Sequence, residues 1–66
     1  MMQVLEKESE RVLGTLSSID KIENVSIRHR YEPFVSKHNF IVFQNDEGEF
    51  GVASPKNHII REVNVV

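Results

Sequence analysis

Cysteine and tryptophan are both absent from this 66-residue chain. Without thiols there is neither a disulfide framework nor a thiolate zinc site, two of the devices that commonly stabilise chains this short. Oligomerisation is the remaining device, and a homo-oligomer is expected. The lack of Cys also fits a reducing compartment, so a cytoplasmic location is expected. Long apolar runs are missing as well. Glu6, Lys7, Glu8, Glu10 and Arg11 interrupt the N-terminal part, which leaves no secretory h-region and nothing near the ~20 apolar residues of a membrane span. Glycine (3) and proline (2) are sparse and mark no linker, and no repeat or low-complexity run divides the chain. A single domain over residues 1–66 follows.

Charge of one sign is also lacking: 8 basic and 10 acidic residues give a net −2. That balance excludes a strongly basic nucleic-acid magnet and an acidic mimic alike. The distribution is uneven. Residues 1–27 carry three basic and five acidic groups, residues 28–38 three basic against one acidic, and residues 39–66 two against four. The middle of the chain is locally basic.

What is present is an alternation of patterns. Leu5, Ser9, Val12, Leu13, Leu16 and Ile19 fall within an arc of about 120° at helical spacing, which predicts an amphipathic helix over roughly residues 2–18. From Asn24 the period becomes 2, with Val25, Ile27, His29 and Tyr31 alternating with polar residues up to Pro33, the pattern of a half-buried strand. Phe40-Ile41-Val42-Phe43 is apolar on both parities. Asn45-Asp46-Glu47-Gly48 then predicts a tight turn with Gly48 at positive φ, leading into a strand at Phe50–Ala53. Ser54-Pro55-Lys56-Asn57 reads as a further turn, and the β-branched segment from His58 to Val66 as a fourth strand. The expected fold is therefore α+β, one N-terminal helix packed on a four-stranded antiparallel meander. The alternative is three strands with a short C-terminal helix, capped by Ser54, opened by Pro55 and carrying Ile59, Ile60 and Val63.

The two-sided apolar strand is the most informative feature for function. One helix covers one face of a small sheet, so either Phe40 and Val42 or Ile41 and Phe43 face away from it. That second face is covered by the chain itself, through the Phe34-Val35 loop or the C-terminal tail, or else by another protein. Ile41, Phe43 and Phe34 are accordingly the candidate interface residues. A different chemistry is suggested by Arg28, Arg30 and Lys37, interleaved with Tyr31 and Phe34: cations beside aromatics can follow a phosphate backbone and stack an unpaired base. Three charges on an acidic chain make that electrostatic contribution small.

The remaining motifs are generic. His29, His38 and His58 lack ligand spacing, and no metal or cofactor is expected. The acidic turn does not follow the ligand order of a calcium loop, and Gly48-Glu49-Phe50-Gly51 lies in a hairpin, not between helices. No serine occupies a GxSxG elbow, so the chain reads as a non-enzyme. The expected function is a small protein-interaction module, a regulator or inhibitor docking on another protein, of the kind that phages and mobile elements encode as accessory proteins. A weak single-strand nucleic-acid binder is the alternative.

Overall fold

The computed structural model describes residues 1–63. It is α+β, with one helix and a five-stranded antiparallel sheet in the order β4-β3-β2-β1-β5. The strands are β1 (Met2–Glu6), β2 (Val12–Ser17), β3 (Ile41–Gln44), β4 (Phe50–Ala53) and β5 (His58–Glu62). A 3₁₀ turn (Ile19–Lys21) and the helix α1 (Val25–His38) join β2 to β3.

The expected N-terminal helix is instead the β1–β2 hairpin. The helical stripe over residues 2–18 had to include Ser9, and Lys7 to Arg11 supplies no apolar residue. That polar stretch is the hairpin loop, closed by Glu6 N–H to the Arg11 carbonyl at 2.9 Å and Glu10 N–H to the Glu6 carbonyl at 2.8 Å. The Ser9 hydroxyl donates to Glu6 Oε1 at 2.7 Å. On either side of the loop, Val4, Val12 and Thr15 are β-branched and prefer extended backbone.

The expected strand at residues 25–32 is in turn the first half of α1. Asn24 caps it, its side-chain oxygen accepting from Ile27 N–H at 3.2 Å, which satisfies one of the free donors of the first turn. Ile27, Tyr31 and Val35 are half-buried and recur every four residues along one side. His29, on the apolar parity of the expected strand, is exposed. Pro33 lies inside the helix; it cannot donate to the carbonyl four residues back, an interior cost of about 3 kcal/mol. The helix runs on to a well-made end. Asn39 adopts the left-handed conformation (φ 56°, ψ 32°), Phe40 N–H returns to the Phe34 carbonyl at 3.0 Å, and the Phe34 and Phe40 rings meet at 5.5 Å between centroids. A left-handed residue, N–H groups of both Asn39 and Phe40 returning to the Phe34 carbonyl, and an apolar ring contact together close the helix. Because asparagine tolerates that φ less well than glycine, Asn39→Gly is expected to raise stability by up to about 1 kcal/mol, read as a higher thermal midpoint.

The other turns match the sequence reading. Gly48 has φ 82°, and the Asn45 side chain accepts from Glu47 N–H at 3.0 Å and Glu49 N–H at 2.9 Å. Asn57 N–H bonds to the Ser54 carbonyl at 3.2 Å, closing the turn that holds Pro55. The last segment is strand, not helix, through Glu62; the expected continuation to Val66 lies outside the described residues.

Register fixes which residues share a face. Val42 lies opposite Val52 and Ser17, and Gln44 opposite Phe50 and Thr15. This is the helix side, since Ser17, Gln44 and Phe50 line one groove with Ile27 and Tyr31. The helix packs on β4 and on the 3₁₀ turn. Val42 is buried on that side, and Ile22, just after the 3₁₀ turn, is buried as well. The opposite face carries Val4, Gly14, Leu16, Phe43, Ile41, Gly51, Ala53 and Ile60. Val4 and Leu5, adjacent and therefore on opposite faces, are only 0% and 1% exposed. Both sides of β1 are thus covered although α1 packs elsewhere, which requires the sheet to coil. The register shift between Val4 and Leu5 places a bend there, and β2 hands over at Thr15 from pairing with β1 to pairing with β3.

Candidate functional site

The parity left open by the sequence is resolved. Val42 turns toward the helix, while Ile41 and Phe43 lie on the face away from it, both half-buried. Phe43 is held closely. A Cβ built on Gly51 would lie 2.6 Å from Phe43 Cζ, and one on Gly14 would lie 3.0 Å from Phe43 Cδ2, so the ring occupies space that two glycines leave free. Phe34 is not on this face. It sits on α1 at the helix end, 41% exposed, with its ring against Phe40. The three candidate interface residues therefore divide into a pair on the sheet and one on the helix.

Around Ile41 and Phe43 the face is uniformly apolar. Leu16 pairs with Phe43, Ala53 with Ile41, and Ile60 with Val4. No charged residue enters until the ends of β1 and β5, where Glu6 lies opposite His58 and Met2 opposite Glu62. Leu16 and Ile60 remain 36% and 38% exposed. The sequence concealed both residues. Leu16 fits a helical stripe in the sequence, and the face of Ile60 follows only from the pairing of β5 with β1.

On the helix side, the 3₁₀ turn, the N-terminal end of α1 and the β3–β4 hairpin enclose an open groove of about 870 Å³. Tyr31 and Phe50 give it an aromatic wall, and Glu23, Lys21 and Glu49 its charges. The Tyr31 hydroxyl donates to the Phe50 carbonyl at 3.3 Å, tying helix to sheet. At the hairpin tip, the Glu47 carboxyl is raised above its ordinary pKa by its hydrogen bond with Glu49 and by the Glu49 charge. The tip is a region of negative potential in water.

The basic residues do not form a strip. Arg30 and Lys37, seven apart on a helix, point the same way and are exposed, whereas Arg28 lies nearly opposite. Arg28 is half-buried and donates to the Ile22 carbonyl at 3.4 Å, a contact that ties α1 to the 3₁₀ turn. The strand on which these cations were expected to alternate is helical, so the phosphate-tracking geometry loses its basis. The histidines are likewise dispersed. His29 lies 3.6 Å from Glu32, His38 lies beside Phe34 and Phe40, and His58 Nδ1 is 2.8 Å from the Ser54 carbonyl. Among the described residues no cluster of His, Asp and Glu is arranged to hold a metal ion, and no helix is long and apolar enough to cross a membrane.

No family model, no curated protein and no solved structure matches this chain.

Proposed function

We propose that this chain is a small non-enzymatic protein-interaction module, a regulator or inhibitor that docks on another protein through the sheet face opposite α1. One observation carries the reading. Among the described residues the middle of that face is apolar on every strand, no helix packs on it, and Leu16 and Ile60 on it are each more than a third exposed. An apolar centre rimmed by Glu6, His58 and Glu62 has the anatomy of an interface, in which water is excluded from the middle and charge is confined to the edge.

The docking residues are Leu16 and Ile60, with Val4 between them and Ile41 and Phe43 extending the floor beyond Leu16. Leu16→Lys tests this with little risk to the fold, because the lysine stem keeps part of the apolar contact while its ammonium enters the centre of the face. The expected result is that wild-type protein, immobilised, retains a partner that Leu16→Lys retains at least about tenfold less well, since a charge left unpaired in a closed interface is costly. The circular-dichroism spectrum should be unchanged. Equal retention by the two proteins would remove the sheet face from consideration.

A further inference from the structure

The two outer strands of the sheet differ in how they end it. On β4, α1 packs against the strand and the Tyr31 hydroxyl takes up one edge group, the Phe50 carbonyl. Among the described residues, β5 pairs with β1 alone. The phase of its ladder follows from two hydrogen bonds just outside the strands, Val63 N–H to the Met1 carbonyl at 2.8 Å and Lys7 N–H to the Asn57 carbonyl at 3.4 Å. Both belong to the register that sets Met2 opposite Glu62 and Leu5 opposite Ile59. Hydrogen-bonded pairs alternate along an antiparallel ladder. Arg61 and Ile59 therefore direct their backbone groups toward β1, and His58, Ile60 and Glu62 present N–H and C=O to the open edge.

We infer that β5 pairs antiparallel with β5 of a second copy of this chain, about a two-fold axis at Ile60. The register is selected by the side chains. Centred on Ile60, the pairing sets His58 opposite Glu62 of the other copy, Ile59 opposite Arg61, and Ile60 opposite itself, so no like charges meet. The three residues whose backbone groups face the edge all fall in hydrogen-bonding positions, giving about six inter-chain bonds. Centred on Arg61, the same strands would oppose two guanidinium groups, and directly opposed like charges destabilise a sheet. Centred on Ile59, the pairing would run into the turn at Asn57 and leave Glu62 unopposed. The charges at the end of β5 thus choose one alignment of a self-complementary edge. Ile60 lies on the apolar face, so the two-fold sets two such faces side by side and makes one continuous surface. Ile60 takes part in both readings, its side chain in the docking face and its backbone in the edge, but Leu16, which tests the docking partner, is on β2 and outside the β5 edge, so the two can fail separately.

Because the chain has no cysteine, a single introduced thiol reports the register. The Cα atoms of directly opposed hydrogen-bonded residues lie about 5.5 Å apart, within disulfide range. Under mild oxidation, Ile60→Cys is expected to form a covalent dimer nearly completely, while Arg61→Cys, whose opposite number is Ile59, is expected to form at least about tenfold less. Light scattering after size exclusion should give a dimer mass for the wild type. Ile60→Pro, which removes an N–H that faces the open edge and none that β1 uses, should give a monomer with unchanged circular dichroism. Cross-linking at 61 equal to that at 60, a wild-type monomer up to millimolar concentration, or a folded Ile60→Pro dimer would each overturn the proposal.

Discussion

Gly14→Ala is expected to cost on the order of 3 kcal/mol, the upper end of what overpacking does. A methyl group at this position would fall inside van der Waals contact of the Gln44 carbonyl oxygen, and 2.8 Å from its carbon. Both are backbone atoms of the neighbouring strand, so no side-chain rotation relieves the contact. The only relief is to part β2 from β3 near the point where β2 changes partners, and that handover holds the two halves of the sheet together. A domain of 66 residues has roughly 3–10 kcal/mol of stability in total, so the variant should lose about 10–20 °C of thermal midpoint or fail to fold. Gly48→Ala provides the contrast. At φ 82° the nearest atom to a new methyl group is Gln44 Nε2, at 3.9 Å, so only backbone strain is incurred, of about 1–2 kcal/mol. Thermal denaturation of the two variants should therefore separate by several degrees, Gly14→Ala lower. Equal midpoints would mean that the sheet yields at Gly14 more readily than its geometry implies.

The same residue shows why the N-terminal third was hard to read. A glycine in an amphipathic helix is a modest defect on the solvent side, and Leu5, Val12, Leu16 and Ile19 do keep a helical spacing. A bulged hairpin can imitate that spacing, because the extra residue near Leu13 shifts the strand period partway toward the helical one. The polar loop from Lys7 to Arg11 was the contrary signal. In α1 the ambiguity ran the other way: residues 25–31 alternate by chance, and Pro33 looked like the end of a strand. The correct signals were Asn24 as a cap and the Ile27, Tyr31, Val35 stripe. From Phe40 onward local chemistry decided the outcome. Gly48 and Pro55 fix turns by their own backbone limits, and the strands between them had no competing period.

The candidate site was legible only as far as its strand. That Phe40 to Phe43 is apolar on both sides is a property of sequence, and it led to Ile41 and Phe43. That Leu16 and Ile60 join them depends on register across four strands, which no local pattern encodes. The basic segment illustrates the converse. Arg28, Arg30 and Lys37 are close in sequence, yet a helix turns Arg28 away from the other two, and a rotation of 100° per residue alters what a short charge cluster can do.

Phe43→Ala is expected to lower stability by about 3 kcal/mol, near the lower end of aromatic truncations because the ring is partly exposed. Its ring is first a packing element. It spans Gly51 on one side and approaches Gly14 on the other, so it supplies much of the apolar cover that two glycines withhold from the coiled face. Gly51→Ala tests the same packing from the opposite direction. A methyl group there would lie 2.6 Å from Cζ and 3.1 Å from each Cε of the Phe43 ring, and the ring, unlike a backbone carbonyl, can move. The expected cost is therefore about 1–2 kcal/mol, below that of Gly14→Ala. The two substitutions should also couple. With the ring removed, the added methyl group meets open space and improves strand propensity, so Gly51→Ala in the Phe43→Ala background is expected to be neutral or stabilising, an interaction energy of at least about 1 kcal/mol. Additive losses in urea denaturation would show that Phe43 does not rest on Gly51. Coupling of the expected sign would establish that Phe43 rests on Gly51 and that its first role is to hold the sheet together.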